Sequence, residues 1–159
     1  MKGAFFLLVS CMGILVACDS NRLYEQNNDF DDRHWAVEEK PFFEFEIKNV
    51  EGTYNLYVNV RNTVSYPNAN LYFTYYLSDS TGTVIHQDLV TEFLFDKKTG
   101  KPFGSTVLGD IYDHQFLILK NYVFEKPGKY QVHYEQFMRY DTLRGILSVG
   151  LRVEKNLPG

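Results

Sequence analysis

The segment "PFFEFEIKNVEGTYNLYVNVRN", Pro41 to Asn62, carries the clearest structural signal in this chain. Phe43, Phe45 and Ile47 alternate with Glu44, Glu46 and Lys48. After Glu51-Gly52, Tyr54, Leu56, Val58 and Val60 alternate with Asn55, Tyr57, Asn59 and Arg61. Successive side chains of a strand point to opposite faces, so a period of two means one buried and one wetted face. On a helix the same pattern would scatter its apolar side chains around the whole circumference. Two such runs joined by a short glycine turn read as a β-hairpin.

The pattern continues outward from there. "SYPNAN" (Ser65–Asn70) is a loop, because proline and asparagine cluster in it. Leu71, Phe73, Tyr75 and Leu77 then share one face, and "DSTG" (Asp79–Gly82) turns the chain. "TVIHQDLVTEFLF" reads as one bent strand or two. "DKKTGKPFGSTVLG" is a long glycine-containing loop. "HQFLILKNYVF", the run holding Tyr130, Val132 and Tyr134, and the run holding Val149, Leu151 and Val153 complete the set. Seven to nine strands separated by turn signals predict an all-β domain, an antiparallel β-sandwich of immunoglobulin-like or jelly-roll type. In "PGKYQV", a glycine two residues before Tyr130 matches a tyrosine corner, in which the phenol bonds back to the backbone. One window departs from period two: Phe137, Tyr140, Leu143 and Leu147 share a helical face, so a short helix near 137–145 is the alternative there. Gly145 weighs against it.

The chain begins differently. Met1-Lys2 precedes an apolar run, Ala4 to Ala17, that is shorter than the roughly 20 residues a membrane span needs. Charge, apolar stretch and small residue in that order read as a secretory signal peptide. Leu15-Val16-Ala17-Cys18 stands where the cleavage site belongs and reads as a lipobox. The Cys18 thiol would be alkylated by a diacylglycerol, the chain cut before it, and the freed amine acylated with a fatty acid such as palmitate. The expected organisation is a signal peptide at 1–17, a lipidated N-terminus and tether at 18–35, with Leu23-Tyr24 as a short edge strand the alternative there, and the sandwich at 36–159. Cys11 lies in the part removed. The processed chain then has no disulfide to lean on, and its stability comes from its core.

Thirteen Phe and twelve Tyr against one Trp fit an aromatic strand core, or else an exposed aromatic platform for glycan or protein. The formal charge of −4 argues against nucleic acid as a partner. Residues that carry chemistry do not assemble. His34, His86, His114 and His133 have no metal-ligand spacing. Asp29, Asp31 and Asp32 lack the glycine and distal glutamate of a calcium loop. Asp110, Asp113 and His114 lie close together in "GDIYDHQ", an ordinary polar composition. "KKTGKPFG" lacks phosphate-loop spacing, and no nucleophile elbow is present. No catalytic residue, metal or cofactor is expected, and the chain reads as a non-enzyme.

"PGKYQVHYEQFMRYDTLRGILSVGLRVEK", together with "YNLYVNVRN", "YPNANLY" and "GDIYD", resembles the GldH family of gliding-motility lipoproteins of the Bacteroidota. The resemblance runs from Asn21 to Lys155 and is densest from Gln136 to Glu154. The family pattern more usually has Trp where this chain has Phe103, and a small residue where it has Phe137. The resemblance implies a membrane-anchored lipoprotein of the gliding apparatus, with only the lipobox carrying over residue by residue, onto Cys18. It implies attachment at the outer membrane facing the periplasm, and other envelope or gliding-machinery proteins as partners. A glycan- or ligand-binding envelope lipoprotein is the alternative function.

Within the densest stretch, Met138, Arg139, Tyr140 and Arg144 are the candidate partner-binding residues, because aromatic, Met and Arg side chains are enriched at interfaces. Pairing of Arg139 or Arg144 with Asp141 would staple this turn. Bacteroidota periplasmic O-glycosylation is associated with Asp-(Ser/Thr)-(apolar or Thr), which "DST" and "DTL" match at Ser80 and Thr142.

Overall fold

The structure, a computed structural model, describes residues 19–156. In chain order its strands are β1 (Arg22–Asp29), β2 (His34–Ala36), β3 (Phe42–Ile47), β4 (Thr53–Thr63), β5 (Asn70–Asp79), β6 (Val84–Phe93), β7 (Ser105–Leu108), β8 (Ile111–Tyr122), β9 (Gly128–Gln136), β10 (Thr142–Arg144) and β11 (Ile146–Asn156). One sheet has the order β1-β11-β4-β8-β7 and the other β3-β9-β5-β6, with β2 and β10 forming a small separate pair. All pairings between the strands are antiparallel. The chain crosses between the two main sheets at most connections, the exceptions being the hairpins β5–β6 and β7–β8, one within each sheet. This is the connectivity of a jelly roll, which selects between the two sandwich types expected.

Alternation builds the core. Phe43, Phe45 and Ile47 from β3, Leu71, Phe73, Tyr75 and Leu77 from β5, and Tyr130, Val132 and Tyr134 from β9 are buried. So are Leu56, Val58 and Val60 from β4 and Val149, Leu151 and Val153 from β11. Full burial of such side chains contributes roughly 1.5–3 kcal/mol each before entropy is counted. Buried phenols find partners across the gap between sheets. The Tyr134 hydroxyl donates to the Gly150 carbonyl at 3.3 Å, and Tyr75 to that of Ile118 at 3.3 Å. Burial pushes the Tyr75 phenol up to about 12. Tyr130 is a tyrosine corner: its hydroxyl donates to the Lys126 carbonyl at 2.7 Å.

Three expectations are corrected. β3 and β4 are not a hairpin, because β3 pairs with β9 in one sheet and β4 with β11 and β8 in the other. A hairpin would put both apolar faces in the same layer. Arched across the roughly 10 Å between sheets, each face meets the opposite layer instead. No helix forms at 137–145, where β10 pairs with β2 and sets buried Leu143 beside buried Trp35. Gly145 follows at φ +88°, with an added Cβ 3.0 Å from Tyr66 Cα, so it suits a strand crossing and not a helix. Finally, Arg22–Asp29, assigned to a tether, is strand β1, paired along β11 from Glu154 to Ser148. Arg152 binds Asp19, Glu25 and Glu154, fixing the first described residue to the sheet.

Candidate partner-binding surface

Connections gather at the two ends of the sandwich. At one end lie Asp19, the 48–52 arch, the 80–83 turn and the 123–127 loop, because Thr53 pairs with Asn156, Tyr54 with Tyr122 and Ile47 with Gly128. At the other end lie the 30–41 segment with β2, the 64–69 loop, the 94–104 loop and the 137–145 segment. Backbone bonds knit this second group: Val37 N–H to the Asp141 carbonyl, Gly145 N–H to Arg33, Thr63 N–H to Gly145, and Leu94 N–H to Ala69. Trp35, fully buried, stacks on Phe30 at 5.4 Å and donates to the Glu39 carbonyl at 2.8 Å.

Much of the exposed aromatic surface sits on this second end. Phe137 is 67% exposed, Tyr140 57% and Phe103 59%. With Tyr72, Leu89, Met138, Arg139 and Asn68, Phe137 and Tyr140 line a depression of about 420 Å³. Tyr140 also borders a second depression of about 300 Å³, lined with it by Pro67, Asn68, Thr142, Leu143 and Arg144. Tyr140 thus stands as a ridge between two hollows.

The ridge is held from beneath. Gln136, 4% exposed, accepts from the Met138 N–H at 2.9 Å and donates to the Tyr140 carbonyl at 2.9 Å. Phe137 N–H donates to the Tyr72 carbonyl, and Met138 turns inward against the core, its sulfur 3.3 Å from the Tyr72 N–H. Four residues are therefore pinned at both ends, and their aromatic rings project outward.

Of the expected binding residues, the structure brings Met138, Arg139 and Tyr140 to one depression and Arg144 to the adjoining one, with Arg139, Tyr140 and Arg144 exposed and Met138 half-buried. The Arg–Asp staple is corrected: among the described residues neither Arg139 nor Arg144 forms an ion pair with Asp141. Gln136 does that work. Its position gave no signal in sequence, since a glutamine ending a strand is ordinary. Tyr72 and Leu89 were also missed as lining residues, because they fall on the wetted side of their strands. Ser80 is exposed in the turn that Asp79 organises through the N–H groups of Thr81 and Thr83, and Thr142 is exposed at the start of β10. Cys18 lies outside the described residues.

The remaining polar candidates are dispersed. Asp113 is in a two-pronged ion pair with Arg61 at 2.7 and 2.9 Å on the outer face, whereas His114 turns inward and stacks on Phe116. Burial holds the His114 ring below its ordinary value of 6.5. His133 stacks on Tyr76 at 4.6 Å and is lowered by burial as well. His86 meets the Tyr75 hydroxyl at 3.0 Å. Among the described residues no three His, Cys, Asp or Glu gather into a metal-binding group.

A family model described as GldH lipoprotein matches residues 22–153, the span from the start of β1 nearly to the end of β11. The chain belongs to the GldH lipoprotein family. It is 29% identical to a gliding motility lipoprotein GldH homolog of Christiangramia forsetii, over 98% of this chain and 99% of the relative. It is 25% identical to the gliding motility lipoprotein GldH of Flavobacterium johnsoniae, over 98% of both. The GldH match thus spans the whole jelly roll and includes the 137–145 segment. Among solved structures, the VP2 subviral particle of infectious bursal disease virus gives a TM-score of 0.43 at 15% identity, covering 87% of this chain and 33% of that one. That likeness is too remote to bear on fold or function.

Proposed function

We propose that this GldH-family chain is a non-enzymatic docking module of a gliding-type envelope assembly, held to the membrane by lipid at Cys18. The exposed aromatic end carries the reading: Phe137 and Tyr140 are presented on a loop pinned by Gln136, which lowers the ordering entropy a partner must offset on binding. Family membership supports a membrane-anchored envelope lipoprotein. The gliding machinery as partner goes with the relatives' names, and attachment at the outer membrane facing the periplasm is part of the same proposal. Since Asp19 sits at the opposite end of the sandwich, an anchor at Cys18 leaves the aromatic end pointing away from the bilayer. Confinement to a layer at the membrane raises the effective concentration of envelope partners, so a modest patch suffices.

Replacing Tyr140 and Arg144 together by Ala tests this. Folding and membrane level should be unchanged, while co-purification of envelope partners, and cell movement in a gliding host, should fall. Unchanged behaviour in both assays moves the docking surface elsewhere. Cys18→Ser should abolish fatty-acid labelling and release the domain from membranes, and continued labelling overturns the lipid assignment. A second reading has one observation in its favour: Tyr72, Phe137 and Tyr140 line a depression with Asn68 and Arg139, the residue types a glycan cleft uses. Docking is preferred because the relatives are motility lipoproteins. Saturable binding of envelope glycan that Tyr140→Ala abolishes would reverse that preference.

A further inference from the structure

We propose that the outer edge of β6 takes up an extended segment of a partner protein as an added strand, with basic and apolar side chains alternating along that segment. The proposal deepens the docking reading and rests on it.

The two sheets have four edges, and three are blunted. β7 has four residues. β3 has six, begins after Pro41, and its Glu44 is already paired to Lys129 at 2.7 Å. β1 has a register irregularity at its apolar start, Leu23-Tyr24, is polar from Glu25 onward, and its Glu25 is shared between Arg22 and Arg152. β6, Val84–Phe93, has ten residues without Lys, Pro or Gly. Its only register shift lies at its start, opposite Leu77 and Ser78. Among the described residues no strand pairs with its outer side. Proteins protect long edges with Lys, Pro, bulges, shortness or charged side chains, because a row of unpaired N–H and C=O groups is a template for another strand, and of these β6 has along its length only the carboxylates of Asp88 and Glu92, which repel acidic strands and admit basic ones. An edge left open in this way, next to exposed Leu89, invites strand addition.

Register specifies what the added strand needs. Gln87, Leu89 and Thr91 lie on the outer face, opposite Tyr76, Thr74 and Tyr72. Leu89 already belongs to the depression with Phe137 and Met138, so an apolar side chain placed beside it extends that surface. On the other face, Asp88 and Glu92 stand opposite Tyr75 and Leu71 and have no ion-pair partner among the described residues. Glu92 is half-buried, and desolvation raises its carboxyl above the ordinary value, a cost that an incoming cation relieves. Basic residues therefore belong on that face of the added strand. Antiparallel self-pairing centred on Asp88 or on Val90 sets Asp88 against its own counterpart or against Glu92, and like charges directly opposite are destabilising. Self-pairing centred on Leu89 avoids that clash but leaves Asp88 opposite Val90 without a cation, whereas a basic strand supplies one to both carboxylates.

The test uses the full-length lipoprotein in detergent micelles and two blocked peptides of about ten residues, the length of a long strand. One alternates Lys with Val, the other Glu with Val. Amide hydrogen exchange is followed across the protein. The Lys–Val peptide should slow exchange within Val84–Phe93, and should bind about two- to tenfold tighter than Glu–Val, as expected of one or two cross-strand ion pairs. The Asp88→Lys/Glu92→Lys variant should reverse the order. Absence of slowing in β6, slowing confined to β1 or β3, or equal binding of both peptides overturns the proposal. So does β6 protection in a dimer formed without peptide. Loss of co-purification on Tyr140 and Arg144 replacement alongside a silent β6 would leave the docking reading standing and remove this one.

Discussion

Tyr130 joins sequence to packing through a single oxygen. Its ring fills the core beside Phe124, 4.5 Å between centroids, and its hydroxyl closes a loop onto Lys126. Tyr130→Phe keeps the ring and removes the bond. The melting temperature should drop by an amount corresponding to about 0.5–1.5 kcal/mol, and an unchanged melt would mean that the bond adds nothing. His114 makes a prediction of a different kind. Its ring is buried, its Nε2 has no partner among the described residues, and burial lowers its pKa below 6.5. The unfolded chain then binds a proton that the folded one resists. Stability is full above the unfolded value and is lost as pH falls below about 6.5. His133 is shifted the same way and adds to the loss. Carboxylates held low by basic partners, Glu44 by Lys129 and Glu135 by Lys40, keep their contribution until pH falls below about 4.5. Denaturant midpoints measured between about pH 7 and pH 5.5 should therefore fall. His114→Gln should flatten that slope without abolishing it.

At the scale of elements, the faces of strands were legible and their partners were not. Alternation in Phe43–Ile47 and Tyr54–Val60 marks which side chains are buried. It does not say which sheet buries them, so an arch and a hairpin look alike until long-range pairing with β9 and β11 is known. β1 was harder still. "RLYEQNND" is an edge strand with most side chains wetted on both faces, and it has no period-two signal to detect. It forms because β11 offers it a ladder. The 137–145 segment misled through a different route. Of its residues at helical spacing, Leu143 packs beside Trp35 while Phe137 and Tyr140 project into solvent, so the spacing has no common buried face behind it. The exposed candidates Tyr140 and Arg144 were legible from residue type, and the glutamine that positions the loop was not. Gln136→Leu removes an acceptor from the Met138 N–H and a donor from the Tyr140 carbonyl. It should cost about 1–3 kcal/mol and speed amide exchange in residues 137–140 ahead of the rest of β9. Uniform destabilisation without that local change would mean that the loop is held by Met138 alone.

The whole molecule is a post of about 35 Å, the length of an eleven-residue strand such as β4, with the start of the described chain at its foot and the aromatic loops at its head. That placement follows from β1 running along β11 and from Arg152 gripping Asp19, so the chain enters the sheet at once and not through a slack leash. A mechanical property follows. Hydrogen bonds in an antiparallel ladder lie perpendicular to the strands. Tension entering at Asp19 and leaving at the head runs along β1, so it loads every rung of the β1–β11 ladder in shear at the same moment. Tension applied at Phe30 would instead peel the same ladder one rung at a time. Single-molecule stretching with one handle at Phe137 should need more force when the other is at Asp19 than when it is at Phe30. A chain that carries traction between a bilayer and a moving partner would be gripped at its strong end.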